Sequence, residues 1–443
     1  MKRARWATRA AVSAAFVIFA GPAGAAGQPG SPLPPTGTLA GGVAYEVRAD
    51  PAQPGAAVAL WYRAPSSGFG AAPVPALSRL AAATVAASTP ITGTPLSALV
   101  ARYGGRLSVE AYPDSVAITA VVPPDRVADT VRAMTADYFA PVVTDAGLRL
   151  ARSDVTEAAE LQSLEPEDAI EDALGAALFA SGPSHDGTIG SPETLRTVDA
   201  GAVRAFAERA FRPSNAIVVL TGDVDASALS AVAARAGAPA AGAAAAPEPA
   251  AAQTRRDGAE PLRRTGEVRG IGLGWAGPPI VDETDATAMD FLADALFAPR
   301  TGLVPKALGD RKATVTGRFV TFRDPGLFLV TLTGPDAEAA RPIVERTVAA
   351  AARPMSGAAF AAAHAAYVYR LLGAMETPGD VASVYGWYTV EGDAPYAPAE
   401  RGGRYSRLAA GLTPQSVARA AARYLGPSPA VVVIAPAAPA VKT

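Results

Sequence analysis

The chain contains no cysteine and only two histidines, His185 and His364. The absence of cysteine excludes disulfide bonds, cysteine ligands for zinc and cysteine nucleophiles. The first histidine lies in a turn-rich loop and the second in an alanine-rich segment predicted to be helical over 358–372. The two histidines do not have the short spacing of a metal-binding pair, so a zinc site built from histidine ligands is not expected.

Positive charge and nucleotide-binding motifs are also lacking. The formal net charge is −2 over 443 residues, which argues against a nucleic-acid partner because such partners favour a basic surface. No Gly-x-x-x-x-Gly-Lys-Ser/Thr loop and no Gly-x-Ser-x-Gly elbow occurs. Gly270–Gly274 is glycine-rich, but it lies within a predicted strand and is typical of close packing.

The first 26 residues have the pattern of a secretory signal peptide. Lys2, Arg3 and Arg5 precede a short apolar run, and small residues follow at Gly21–Ala26. The apolar run is about half the ~20 residues that a membrane span requires. We therefore predict export to the periplasm and no membrane span after signal removal. The remaining chain would carry 35 basic and 41 acidic side chains, a net charge of −6.

The mature chain is predicted to consist of two α/β halves. Residues 237–260 are rich in alanine and proline and are typical of a linker, which gives domains at 28–236 and 261–443. Trp61 and Trp275 are 214 residues apart, as are Pro213 and Pro427. A constant offset near both ends indicates an internal duplication. It also predicts that the two tryptophans occupy equivalent places.

Strands and helices alternate within each half. Ala57–Arg63, Val116–Val122, Ile271–Ala276 and Gly326–Leu332 have strand composition, whereas Asp125–Phe139 has helical periodicity. Thr197 and Thr413 are predicted to cap helices. The fold class is therefore α+β or α/β, with two homologous halves that each contain a mixed sheet packed with helices.

Several segments resemble the pitrilysin, insulinase and mitochondrial processing peptidase family of zinc metallopeptidases. They are Tyr103–Gly105, Ile189–Glu193, Phe211–Asn215, Leu220–Asp223, Leu303–Leu308 and Arg323–Phe328. The resemblance covers nearly all of the mature chain and implies a clam-like metallopeptidase half.

Active members of that family carry His-x-x-Glu-His on their first helix. The two histidines bind zinc, and the glutamate activates the metal-bound water. The matching positions here are Pro75, Ser78 and Arg79. Proline has no side-chain ligand atom, serine cannot act as a carboxylate base, and arginine repels a cation. We predict no catalytic residues and no bound zinc, although the family implies that cofactor.

Three further groups of residues bear on a possible functional site. Glu157 lies where a further glutamate ligand is expected and is either a relict ligand or part of a solvated helix face. Substitute ligands for a working metallopeptidase could come from Asp154, Glu157, Glu160 or Glu171. Arg311 and Arg318 lie near the segment where some relatives provide an arginine and a tyrosine to a partner's site, but no tyrosine follows.

The resemblance implies a non-catalytic, pseudo-peptidase subunit that forms half of a peptide-binding chamber with an intact zinc-bearing partner. In relatives, peptides add a strand to a sheet edge after the Gly-Gly turn. The matching residues are Arg106, Leu107, Ser108, Val109, Glu110, Ala111 and Tyr112. The alternatives are a metallopeptidase with substitute ligands and a stand-alone peptide-binding or scaffold protein.

Overall fold

A computed structural model describes residues 36–70, 72–88, 93–237, 262–265, 269–323, 325–392, 405 and 407–435. The predicted signal peptide, and the predicted linker except Gly237, lie outside these residues. The boundaries of the two domains and of the signal peptide thus stay predictions. None of the described helices is both long and apolar enough to cross a membrane.

The first half contains a six-stranded mixed sheet with the strand order β1-β2-β6-β3-β5-β4. Only the β2–β6 pair is parallel. The strands are β1 Thr36–Thr38, β2 Ala44–Ala49, β3 Ala56–Arg63, β4 Arg106–Ala111, β5 Ser115–Val122 and β6 Ala216–Gly222. Every residue of β6 and all but the last of β3 are buried, which requires cover on both faces of the sheet.

One face of this sheet packs against helices from the same half. Val58, Leu60 and Tyr62 of β3 belong to the core that these helices form. The helices of this half are α1 Leu77–Ala87, α2 Leu96–Arg102, α3 Val127–Tyr138, α4 Asp145–Ser163, α5 Pro166–Leu178, α6 Pro183–Asp186, α7 Pro192–Thr197, α8 Ala200–Ala210 and α9 Leu229–Ala236. Of these, α5 and α6 contribute no residue to that core.

The second half contains a five-stranded mixed sheet with the order β7-β11-β8-β10-β9, in which only β7 and β11 are parallel. The strands are β7 Leu262–Thr265, β8 Gly270–Ala276, β9 Thr314–Val320, β10 Leu327–Thr333 and β11 Ala430–Ala435. The helices are α10 Glu283–Phe297, α11 Leu303–Leu308, α12 Ala337–Ala350, α13 Gly357–Gly373, α14 Pro378–Glu391 and α15 Pro414–Tyr424. The order matches that of β2-β6-β3-β5-β4.

Each half covers the second face of the other half's sheet with one helix. Helix α14 of the second half packs on β3, β5 and β6. Helix α5 of the first half packs on β8, β10 and β11. We call α5 and α14 the exchanged helices. Each sheet therefore has one face covered by helices of its own half and the other face covered by a helix of the opposite half.

Small residues allow both exchanged helices to approach closely. On α14, an added Cβ at Gly386 would lie 1.9 Å from Trp61 Nε1. On β8, an added Cβ at Gly272 would lie 2.4 Å from Ile170 Cγ2 of α5. The glycine-rich segment 270–274 therefore serves close packing, as its position within a strand predicted.

The structure contradicts the predicted equivalence of the two tryptophans. Trp61 faces α14, whereas Trp275 faces the helix layer of its own half and contacts Phe328. Trp275 of β8 therefore corresponds to Tyr62 of β3, since both side chains face the helix layer of their own half. An offset wrong by one residue moves every side chain to the opposite face of a strand, so the 214-residue spacing misaligns these two strands.

One of the two predicted helix caps is also wrong. Thr197 is the last residue of α7, and the cap of α8 is Asp199, whose Oδ1 accepts from Ala202 N at 2.8 Å. Thr413 does cap α15, as predicted, and forms a capping box with Ser416. Thr197 and Asp199 are both residue types that cap helices well, so the sequence pattern alone could not decide which of them caps α8.

Candidate functional site

The segment aligned with the zinc motif does not lie wholly on a helix. Helix α1 begins at Leu77, and Ala76 before it has a φ of 64°, in the left-handed region. Pro75 is therefore outside the helix and cannot share a face with residue 79. Gly190 lies close against this corner, because an added Cβ there would be 2.9 Å from Pro75 O.

Ser78 is buried at the first turn of α1. Its N–H donates to Ser66 O at 3.0 Å, which ties the helix start to the loop after β3. Among the described residues its hydroxyl has no hydrogen-bond partner. Ser66 in turn donates its hydroxyl to Gly187 O at 2.5 Å. This arrangement fixes the helix start and presents no acid or base.

Arg79 is held by helix α4. Its Nη1 donates to Gln162 Oε1 at 2.6 Å. Glu157, on the same helix, is exposed, whereas the hydroxyl of the preceding Thr156 is buried without a partner among the described residues. The guanidinium thus contacts α4 through a neutral amide. Glu157 has the exposure expected of a solvated helix face.

The residues at this place do not fit a zinc ion. Pro75 offers no ligand atom, Ser78 a single hydroxyl and Arg79 a cation that opposes a metal. Among the described residues, no three histidine, aspartate or glutamate side chains lie where they could hold a metal together. Asp154, Glu157 and Glu160 are exposed, and Glu171 pairs with Arg318.

A serine, a histidine and an aspartate do meet at the adjacent loop. Ser67 Oγ donates to Asp186 Oδ2 at 2.7 Å, and His185 Nδ1 lies 3.0 Å from Asp186 Oδ1. A nucleophilic triad requires the histidine between the other two side chains, so that it can take the serine proton. Here the aspartate is in the middle, and the group holds the loop together.

The remaining predicted candidates have structural contacts. His364 donates from Nε2 to Ala409 O at 2.7 Å and stacks on Phe360. Arg311 donates to Leu308 O at 2.8 Å. A cavity of about 310 Å³ lies beside α10, between Asp290, Tyr388 and Tyr405, but none of the predicted site residues lines it.

Strand β4, which contains the predicted peptide-binding residues, lies at the edge of the first sheet. In the described part of the chain it pairs only with β5. Leu107 and Val109 pack toward the helix layer. Tyr112 follows the strand, and its ring stacks on Trp61 and contacts Trp387 of α14, with centroids 5.5 and 4.7 Å apart.

The hydrogen-bond direction along β4 can be read from the hairpin that follows it. Tyr112 N donates to Ser115 O at 2.8 Å, which makes these residues a hydrogen-bonded pair. Because such pairs alternate along an antiparallel ladder, Ser108 and Glu110 also point their backbone groups at β5. The N–H and C=O groups of Leu107 and Val109 therefore point outward, toward the open edge.

Sequence reasoning missed a buried carboxyl pair beside this hairpin. Asp114 of the β4–β5 turn and Glu391 at the end of α14 are 8% and 1% exposed. Burial raises the pKa of both groups, and the neighbouring Asp114 charge raises the pKa of Glu391 further. Two acids 277 residues apart carry no local sequence signal, so only the packing of α14 could reveal the pair.

Residues 197–362 match the family model described as the peptidase M16 inactive domain. This segment of the chain therefore resembles the inactive domain of the M16 family, the family of pitrilysin and insulinase. A comparison with curated proteins finds no match. The matched M16 domain is an inactive one, which supports a non-catalytic role for that part of the chain.

Solved structures share the M16 fold along most of the chain. A protease from Helicobacter pylori has a TM-score of 0.78 at 17% identity, and the match covers 90% of this chain and 99% of that one. A putative M16-like peptidase from Alicyclobacillus acidocaldarius has a TM-score of 0.74 at 17% identity, covering 91% and 98%. A peptidase M16 inactive domain from Pseudomonas fluorescens has a TM-score of 0.73 at 18% identity, and the match covers 91% of this chain and 98% of that one. Identities this low establish the fold alone.

Proposed function

We propose that the chain is a non-catalytic subunit of an exported M16 peptidase and forms half of a peptide-binding chamber with an intact, zinc-bearing relative. The observation that carries the proposal is the start of α1 at Leu77. Pro75 lies outside the helix, and Arg79 is held by Gln162. A chain that keeps the fold but has no place for the metal is suited to shaping another chain's site.

Export to the periplasm is part of this proposal and rests on the signal-like pattern of residues 1–26. Origin by internal duplication is also part of it. The shared order of five strands in the two sheets, with one parallel pair at the same place in each, supports that origin. The misaligned tryptophans then reflect a shift of one residue between the repeated strands.

Peptides would bind by extending the first sheet at β4. The outward N–H and C=O groups of Leu107 and Val109 offer main-chain hydrogen bonds to an added strand, a mode that is largely independent of peptide sequence. Arg106, Ser108 and Glu110 lie on the sheet face opposite Leu107 and Val109. Side chains of the peptide would meet them there, close to the ring of Tyr112.

The first test is mixing with a zinc-bearing relative that carries His-x-x-Glu-His. We expect a heteromer that buries more than about 1,000 Å² and turns over peptides faster, or accepts fewer of them, than the relative alone. Light scattering and peptide cleavage measure the two effects. Failure to associate would favour the stand-alone peptide-binding protein, and chelator-sensitive cleavage by this chain alone would favour the substitute-ligand peptidase.

The second part of the test addresses the edge strand. Val109→Pro removes an outward N–H and leaves the β4–β5 hydrogen bonds in place. We expect the heteromer to form but its peptide affinity to fall by about tenfold, the effect of one lost hydrogen bond of ~1.4 kcal/mol. Val109→Ala is the matched control, since it removes the same side-chain packing and keeps the N–H. Equal peptide affinity in the two variants would reject the role of β4.

A further inference from the structure

The carboxyl groups of Asp114 and Glu391 meet where the two halves of the chain join. Asp114 lies in the first half, on the turn between β4 and β5, and Glu391 is the last residue of α14. Glu391 Oε1 accepts from Ser115 Oγ at 3.0 Å. Asp114 Oδ1 and Glu391 Oε2 are both buried, and no N–H or O–H group of the described residues donates to them.

Two arginines lie near the pair, but their charges do not offset the effect of burial on the pKa of either carboxyl. Arg63 of β3 donates to the carbonyl oxygens of Val390 and Gly392 at 2.7 and 2.8 Å, and its charge lowers the pKa of Glu391. Arg323, on the turn between β9 and β10, provides a backbone N–H to Asp114 and a positive charge nearby. Two residues earlier on α14, Thr389 donates to Glu46, which pairs with Arg48.

A hydrogen bond between two carboxyl groups requires one proton, because two carboxylates only accept. Burying a second unpaired charge would be costly, and like charges at close range disfavour double ionisation. We propose that Asp114 and Glu391 share one proton and form a pH-dependent clasp between the two halves, closed while the proton is held and weakened when it is lost to water at higher pH.

The clasp joins α14 to the candidate peptide edge. Asp114 O accepts from Ala64 N at 2.9 Å, and Pro113 O accepts from Ser66 N at 2.8 Å. Ser66 also holds the start of α1 through Ser78. Loss of the proton would therefore loosen the end of α14 and the hairpin that ends β4 together. The clasp lies within one chain and does not require a bound partner.

The expected direction follows from linkage. A carboxyl whose pKa is raised by folding binds its proton more tightly in the folded chain. The free energy of unfolding therefore falls as the pH rises from about 4.3, the ordinary carboxyl value, to the raised pKa of the pair, and is level above it. Each unit of raised pKa corresponds to about a tenfold change in the opening equilibrium of the clasp.

Amide hydrogen exchange of residues 378–391, corrected for intrinsic rates, tests the clasp in the full chain. Between about pH 5 and about pH 9 we expect protection of α14 in the wild type to fall tenfold or more. Glu391→Gln carries a permanent N–H donor to Asp114, so its protection should change by less than about twofold. Asp114→Asn should behave in the same way.

Asp137→Asn is the matched control. Asp137 is a buried carboxyl on α3. Burial raises its pKa to about 6, although the positive charge of Arg235 lowers the pKa. It lies outside the junction, so this variant should alter global stability near that pH and leave the pH dependence of α14 exchange intact. The clasp is overturned if Glu391→Gln keeps the wild-type pH dependence, or if it loses α14 protection at every pH.

Discussion

Pro75 and Arg79 oppose a metal in different ways. Pro75 removes a ligand and lies before the helix, and Arg79 places a cation where the second histidine would be. Replacing side chains corrects only the second defect, because the left-handed Ala76 keeps residue 75 off the face of α1. The contacts that orient metal ligands are also missing, since Arg79 faces the amide of Gln162.

The triple variant Pro75→His, Ser78→Glu, Arg79→His should consequently remain a poor zinc site. We expect zinc affinity about 10- to 100-fold below that of an intact relative, the range that loss of supporting contacts produces. Titration calorimetry and peptide cleavage measure it, and Pro75→His alone is the control that should bind no zinc. Affinity and turnover equal to those of the relative would show that the backbone turn at Ala76 does not prevent metal binding.

At the residue scale, the sequence can predict what depends on side-chain chemistry but not what depends on backbone geometry. Pro75, Ser78 and Arg79 cannot form the metal motif whatever their conformation, so their identities alone predict the lost ligands. The first helical residue, Leu77, and the contact of Arg79 with Gln162 depend on packing between elements far apart in the chain. The 214-residue offset failed for the tryptophans because one residue reverses a strand face.

The helices and strands themselves follow the sequence closely. The predicted helix Asp125–Phe139 appears as α3 Val127–Tyr138, and the predicted strand Val116–Val122 as β5 Ser115–Val122. Their apolar periodicity sets these elements locally. No sequence pattern indicates that α5 and α14 cover the opposite half's sheet. The apolar residues of each helix predict that it is buried, but they do not identify the sheet it packs against.

Gly386 tests the packing of α14 on the first sheet. Gly386→Ala would place a methyl group against Trp61 Nε1, so the helix or the indole must move, and we expect a loss of ~1–3 kcal/mol in the free energy of unfolding. Gly373→Ala, at the exposed end of α13, is the control, because the added Cβ would have its nearest contact at 3.8 Å, with Glu376 Oε1. Urea unfolding measures both, and an unchanged midpoint for Gly386→Ala would contradict the close contact between α14 and Trp61.

At the scale of the whole molecule, each half completes the core of the other. A linker of alanine and proline suggests halves that would stay folded after separation. The exchanged helices modify that expectation, since a separated first half would expose the face that carries Trp61, Ile217 and Val219. Stable halves are therefore expected only while both are present.

Limited proteolysis tests this dependence. A chain cleaved within the predicted linker should elute as one particle and separate only in denaturant, because α5 and α14 remain packed on the opposite sheets. Size-exclusion chromatography with mass spectrometry of the fragments measures the outcome. Fragments that separate in native buffer and keep cooperative unfolding would show that the exchanged helices contribute little.

The exchange of helices also has a consequence for the order in which the chain can fold during synthesis. Thr221 of β6 donates to Pro378 O, 157 residues later, and Arg63 of β3 to Val390 O, 327 residues later. The central strands of the first sheet thus acquire their second cover only when most of the chain has left the ribosome. Contacts this distant in sequence slow folding, and a chain that completes its core late would remain longer in the open form that the proposed export requires.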